Sequence, residues 1–330
     1  MIAIPVQDQS QVAEARREAA ETAERHGFGG ADTGRVALVA TELATNLVKH
    51  GKGGEILIGT YEDGEGGGIE LLALDRGPGM PNLALCLEDG YSSAGTSGRG
   101  LGAVSRQSHF VDIGSWPGVG TAILARLTAG RARPAKAPPS GRGWGAVSVP
   151  KPGEAVCGDS WSVANGAAGR TLFVADGLGH GPDAADAAVE AVRLFHRFAG
   201  HQVPALLDYV HGGLRATRGA AVSVARVDEP ARKIIFSGIG NVAGVLAVDG
   251  AMRRMVSMAG TAGYNVRKIQ AFDYPFESGL VILHSDGLSS NWTLNRYPNL
   301  AALHPTLIAG ILYRDLSRRR DDATVLVGRW

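Results

Sequence analysis

Between Thr128 and Gly143 the sequence runs TAGRARPAKAPPSGRG. Proline, glycine and basic residues follow one another there with no apolar period, so the stretch can neither continue a strand nor bury a helix face. A chain with such a break must build one core on each side of it. The length of 330 residues agrees, because single cores stop growing at about 250–300 residues. Charge divides at the same place: residues 1–129 hold 10 Lys+Arg against 16 Asp+Glu, net −6, and residues 130–330 hold 23 against 16, net +7. Two units are expected, 1–129 and 144–330, with 130–143 as the linker.

In the first unit, Ser10 to His26 reads as a helix stopped by Gly27, and a second helix runs from Asp32, its expected N-cap, to His50. Val36, Ala40, Leu43 and Leu47 form its apolar stripe. Strands are expected at EILIGTY, IELLALD, FVDIGSW and TAILARL, with a short helix near 101–107. Helices over such a sheet make an α/β sandwich. Glu42 and Asn46, four apart, share one helix face beside the stripe. DRGPGM places Asp75, Gly77 and Gly79 directly after a strand, and GTSGRGLGAV places Gly98, Gly100 and Gly102 directly before a helix. Glycines at a helix N-terminus let backbone N–H groups approach phosphates. The Gly98–Gly102 spacing fits neither the Rossmann fingerprint nor a Walker loop.

The order Glu-x-x-x-Asn, Asp-x-Gly-x-Gly and glycine-rich turn resembles the GHKL (Bergerat) family of ATP-binding domains over nearly all of 1–129. Within it the run DRGPGMPNLALCLEDGYSSAGTSGRGLGAV is most similar to the small serine kinases that act as stress-response switches. The resemblance implies that Asn46 ligates the Mg²⁺ of Mg-ATP and that Glu42 acts as general base. It also implies that Asp75 accepts from the adenine amino group, with Thr121 nearby, and that the glycines shape the phosphate lid.

The second unit reads as many strands with few helices: WGAVSVP, SWSVAN, TLFVA, AAVSVARVD, KIIFSGI, AGVLAV, LVILHS and ATVLVGRW, with helices near 182–198, 203–217 and 300–316. This indicates packed sheets with helices outside them. Two apolar runs end alike, TLFVADG at Asp176-Gly177 and LVILHSDG at Asp286-Gly287. Asp-Gly ordinarily makes a turn, and two hairpins remain one reading. Neither run, however, leads into an alternating partner strand. Asp159 in CGDSW and Asp321-Asp322 in RRDDATVLV add further carboxylates beside strands. Such oxygens suit hard divalent cations, and two cations need several carboxylates between them.

This set, with GIGN at 238–241, resembles the metal-dependent type-2C protein phosphatases of the bacterial SpoIIE-like branch, over about 144–330. The resemblance implies an αββα sandwich in which Asp176 bridges two Mg²⁺ or Mn²⁺ ions and the Gly177 carbonyl binds one. Asp286 and Asp321, with Asp322 beside them, serve the other side, and Asp159 holds the second acidic position of the first motif. Gly158 stands where eukaryotic members often carry glutamate. His180 is either a general acid or an ordinary loop histidine.

Apolar residues at 45% and charged residues at 20% are ordinary for a soluble protein, and no apolar run approaches the ~20 residues of a membrane span. The start MIAIPVQDQS carries no leader pattern. Cys86 and Cys157 stand apart, which argues against zinc or a disulfide framework and for the cytoplasm. No basic patch interleaved with aromatics points to nucleic acid. The combined resemblance implies a kinase–phosphatase regulator whose partner is a STAS-domain protein phosphorylated on serine or threonine. The alternative is an anti-sigma-like ATP-binding module that sequesters its partner, fused to an active phosphatase. A homodimer stays open.

Overall fold

The computed structural model describes residues 1–63, 66–80, 100–130, 143–167 and 169–330. Two compact units form, one of Met1–Ser140 with Ala302–Arg314 and the other of Gly141–Ala301 with Asp315–Trp330. Gly98, Cys86 and most of the linker lie outside the described residues.

The first unit contains β1 (Ile2–Val6), α1 (Gln9–Arg25), α2 (Gly30–Lys49), β2 (Gly54–Asp63), β3 (Gly66–Asp75), α3 (Gly100–Gln107), β4 (Phe110–Trp116) and β5 (Gly120–Leu127). Its antiparallel sheet is ordered β1-β2-β3-β5-β4. Helix α1 starts at Gln9 because Asp8 accepts from the Ser10 amide at 2.8 Å while Gln11 accepts from the Asp8 amide at 3.2 Å. Asp32 does not cap α2. The cap position is Gly29, and Asp32 lies in the first turn. Its carboxylate accepts from the Gly130 amide at 2.8 Å and pairs with Arg35 at 2.6 Å, and these bonds hold it below the usual range. It ties α2 to the end of the sheet instead.

Val12, Ala15 and Ala19 of α1 and Val36, Leu43 and Leu47 of α2 pack on Ile56, Ile58, Ile69, Leu71, Ile123 and Leu127. The alternate residues Leu57, Leu72, Leu74, Ala122 and Leu124 are equally buried. A sheet buried on both faces explains why β3 and β5 read as unbroken apolar runs. Residues 302–314 cover this second face. Arg126 binds Glu70 at 3.0 Å and the Thr306 hydroxyl at 3.0 Å, and the His304 amide donates to Asp112 at 2.6 Å. Burial raises the Glu70 carboxyl, with Arg126 opposing it. A β-carbon at Gly310 would stand 2.6 Å from Leu72 Cδ2. Gly310→Val is therefore expected to destabilise this packing by about 1–3 kcal/mol. Amide exchange across β3 should speed accordingly, and unchanged exchange would contradict the packing.

The second unit contains β6 (Gly143–Val149), β7 (Asp159–Gly166), β8 (Gly169–Gly177), α4 (Pro182–Phe198), α5 (Val203–Gly213), β9 (Ala220–Asp228), β10 (Lys233–Ile239), β11 (Ala243–Val248) and β12 (Ala251–Met255). It continues with the two-residue strands β13 (Gly260–Thr261) and β14 (Asn265–Val266), then β15 (Phe272–Pro275) and β16 (Leu280–His284). Helix α6 (Pro305–Leu316), whose residues up to Arg314 belong to the first unit, precedes β17 (Ala323–Arg329). Two five-stranded sheets, β15-β10-β9-β8-β7 and β12-β11-β16-β17-β6, enclose a core that includes Leu172, Val174, Phe236, Leu283 and Leu326. On the outer face of the first sheet, Phe173 and Ala175 meet Ala188, Ala191 and Phe195 of α4 and Leu206, Leu207 and Val210 of α5. Strand β8 thus buries both faces, and its apolar run ends where Asp176 emerges.

Candidate active sites

In the first unit, α2 aligns the half-buried Glu42 and Asn46 beside its apolar stripe, and the start of α3 comes up against them. A β-carbon on Gly100 would lie 3.1 Å from Glu42 Oε2 and 3.5 Å from Asn46 Oδ1, so a side chain there would crowd both groups. Gly102 sits two residues further into α3.

Asp75 ends β3. Its Oδ1 accepts from the Gly77 amide at 2.8 Å and the Thr121 amide at 3.1 Å, which leaves Oδ2 as an acceptor for a ligand. Burial raises the Asp75 carboxyl, and the two amides and the charges of Arg314 and His50 oppose that rise. The Thr121 hydroxyl bonds Ser115 Oγ at 2.9 Å, and Ser115 accepts from the Met80 amide at 2.8 Å. Gly79 takes φ +70° and its α-carbon faces the Trp116 carbonyl, so the loop closes on the β4–β5 turn. A carboxylate and a hydroxyl pair, held by fixed amides, can form hydrogen bonds with a ligand here, with Glu42 and Asn46 on a separate helix.

In the second unit, Asp159 and Asp176 face each other across β7 and β8. Asp286 follows β16, and Asp321 and Asp322 precede β17. Asp176 is pushed up to about 9 by burial and then by the charges of Asp159, Asp286 and Asp321. Asp159 rises to about 7, chiefly through burial. The nearby Ser285 and Thr324 hydroxyls oppose the rise, and Asp322 and Asp286 add to it. Asp286 is raised by burial and Asp321, with partial relief from Arg318 and Asn241. These carboxylates repel one another.

Several are nevertheless oriented. Asn241 Nδ2 donates to Asp286 Oδ2 at 2.6 Å, the Lys151 amide to Asp322 Oδ1 at 2.9 Å, and the Asp322 amide to Asp321 Oδ1 at 3.0 Å. The Oδ2 atoms of Asp159 and Asp322 are buried with no hydrogen-bond partner. Buried, unpartnered carboxylate oxygens in an all-oxygen cluster fit hard cations, which satisfy such groups as no neutral donor here does. Among the described residues no three His, Cys, Asp or Glu side chains already enclose an ion.

Glycines make the cluster feasible. A β-carbon on Gly158 would lie 2.7 Å from Asp322 Oδ2, so a side chain at that position would displace this carboxylate. Gly177 and Gly287 are not at positive φ. Both serve close approach, since a β-carbon would stand 2.0 Å from the Ala184 carbonyl oxygen at Gly177 and 1.9 Å from that of Asp322 at Gly287. The Asp-Gly pairs are packing points at strand ends, not hairpins.

His180 Nδ1 contacts Glu154 Oε1 at 2.6 Å, and no hydrogen bond ties the ring to the aspartates. Sequence reading did not single out Asn241, Ser285, Thr324 or Ser115. Asn241 ends the GIGN motif and Ser285 precedes Asp286, so position offered a signal for these two. No helix among the described residues is long and apolar enough to cross a membrane.

A chain of the bacterial stressosome, a modular system adapted to control secondary messenger signaling, is 27% identical with a TM-score of 0.53. That alignment covers 57% of this chain and 100% of the other. RsbX in complex with magnesium is 23% identical with a TM-score of 0.47, over 56% of this chain and 92% of RsbX. The serine/threonine-protein kinase RsbT of Bacillus subtilis (strain 168) is 35% identical over 111 residues, 34% of this chain and 84% of RsbT. Residues 6–127 match the histidine kinase-like ATPase domain. Through these residues the chain belongs to the histidine kinase-like ATPase family, with RsbT among its relatives.

Proposed function

We propose that this protein is a two-activity regulator of a partner-switching pathway. Its first unit transfers the γ-phosphoryl group of ATP to a serine or threonine of a STAS-domain protein, and its second unit hydrolyses a phosphoserine or phosphothreonine. The observation that carries the kinase half is the 35% identity to RsbT together with Glu42, Asn46 and Gly100 meeting at one helix start. Likeness to a stressosome chain supports the pathway.

In this reading Asp75 Oδ2 accepts from the adenine amino group and Thr121 lies beside it. Asn46 holds the magnesium of Mg-ATP, and the amides at the start of α3 face the phosphates. Glu42 accepts the proton of the attacking hydroxyl. Phosphoryl transfer depends mainly on positioning and charge stabilisation, which such a groove supplies.

In the second unit Asp159, Asp176, Asp286, Asp321 and Asp322, with the Gly177 carbonyl, hold divalent magnesium or manganese. The ions, when bound, supply charge neutralisation at the phosphoryl oxygens and activation of water. The chain's own part is orientation: Asn241 fixes Asp286, and the Lys151 amide fixes Asp322. His180, held by Glu154, is available to protonate a leaving alkoxide.

The test uses labelled ATP, a STAS-domain protein and Asp176→Asn chain, so that hydrolysis cannot erase the product. Label on the STAS protein is expected. Tight binding without label would replace the kinase with a sequestering module.

A further inference from the structure

We infer that Arg314, which the sequence places in a helix of the second unit, is a positioning residue of the nucleotide site. Its guanidinium Nη1 donates to the Asp75 carbonyl at 2.7 Å and to the Thr121 carbonyl at 3.3 Å. These are the strand positions whose side chains form the base-recognition site, and they belong to neighbouring strands, β3 and β5. The Asp75 carboxylate already bonds the Thr121 amide. Arg314 closes the same pair of residues from their carbonyl side, so the two strand ends are locked to each other twice.

Three further observations show that the contact is built. Arg314 is 3% exposed, and a guanidinium is not buried without partners at low cost. Gly120 takes φ +126°, and a β-carbon there would lie 2.1 Å from the Asp75 carbonyl oxygen and 2.9 Å from Arg314 Nη1. Only glycine leaves that passage open. In return, Arg76, next to Asp75, donates from its guanidinium to the Arg314 carbonyl near the C-terminal end of α6, where helix carbonyls lack intrahelical partners and a cation is favoured. The Asp75-Arg76 step and the end of α6 thus hold each other reciprocally. The Arg314 charge also favours the ionised form of Asp75, the form that accepts a hydrogen bond from an amino group on both oxygens.

The consequence is selectivity. An adenine presents an amino donor and a guanine a carbonyl acceptor at the same ring position. A carboxylate discriminates between them only if its angle to the ring is fixed. Arg314 fixes it by holding the main chain on which the carboxylate stands, so a residue from the C-terminal half of the chain sets the purine preference of the N-terminal site.

The inference rests on the reading of Asp75 as the adenine acceptor, and the experiment separates the two. ATP and GTP affinities of the full chain are measured by calorimetry for wild type, Asp75→Asn, Arg314→Ala, Arg314→Lys and Thr306→Val. Thr306→Val breaks a bond of the same buried helix to Arg126, away from Asp75. Arg314→Ala is expected to weaken ATP at least about tenfold and to bring the ATP/GTP ratio toward unity, as for loss of a charged hydrogen bond. Arg314→Lys, keeping one donor, should recover part of the ratio, and should serve where Arg314→Ala fails to fold. Thr306→Val should leave the ratio as in wild type. If Asp75→Asn abolishes selectivity while both Arg314 variants retain it, the inference is overturned and the reading of Asp75 stands. If Asp75→Asn itself leaves the ratio unchanged, that reading falls and the inference with it. Equal loss of selectivity in Thr306→Val and Arg314→Ala would reduce Arg314 to general packing.

Discussion

Asp176→Asn is expected to abolish metal-dependent phosphomonoester hydrolysis, by about 10³-fold or more, while leaving a folded protein that tolerates heat better than wild type in the absence of metal. The first effect follows from removing a central charge that the reading places between two cations, each contributing several kcal/mol of transition-state stabilisation. The second follows from the burial of Asp176 and then from the charges of Asp159, Asp286 and Asp321, which together push its carboxyl up to about 9, so that folding at neutral pH has to take up a proton there. An amide of the same shape removes that cost. Wild type should gain thermal stability when Mn²⁺ is added, because an ion that binds only the folded state stabilises it by mass action. The variant should gain much less. Turnover near the wild-type rate, or an equal Mn²⁺ response in both proteins, would rule out the two-cation assignment.

Glu42→Ala is expected to slow phosphoryl transfer to a STAS-domain partner at least ~100-fold while ATP and partner binding persist, the usual scale for a lost general base. The measurement is single-turnover transfer from labelled ATP in an Asp176→Asn background. Among the described residues, Glu42 lies one turn from Asn46 and beside the glycine that begins α3, while Asp75 and Thr121 stand on β3 and β5. The defect should therefore fall on chemistry and not on affinity. Transfer at the parental rate would remove Glu42 from its role without touching the site's other residues.

What could be read from the sequence depended on how strongly local pattern and burial agreed. Strands buried on both faces, such as β3, β5, β8 and β16, stood out as apolar runs, and α4 matched its expected span, Pro182–Phe198. Apart from the two-residue β13 and β14, the strands that escaped notice, β1, β12 and β15, are sheet edges of four or five residues. Pro5 interrupts the first and Arg253 and Arg254 occupy the second, as edges that must avoid further pairing commonly require. At the sites, residues within a motif were legible: Glu42 with Asn46, Asp75 with its glycines, and the aspartates at strand ends. Groups that orient them were not, because Ser115, Ser285 and Thr324 carry no spacing signal of their own. Arg314 could not have been found at all. It lies 239 residues from Asp75, and only the packing of α6 brings them together.

The inclusion of residues 302–314 in the first unit bears on how the protein is made. A ribosome delivers the helices and strands up to Leu127 long before it delivers Gly310 or Arg314. At ~5–20 residues per second the interval is on the order of 10–30 s. Throughout it, Leu72 and Leu74 lack the helix that packs on them at Gly310, and the carbonyls of Asp75 and Thr121 wait for their guanidinium. The nucleotide site, first to be encoded, is among the last parts of the nascent chain to be finished. Truncation anywhere before α6 should leave an N-terminal fragment dependent on chaperones for solubility. A catalytic module exported from this gene at its natural linker would leave part of itself behind.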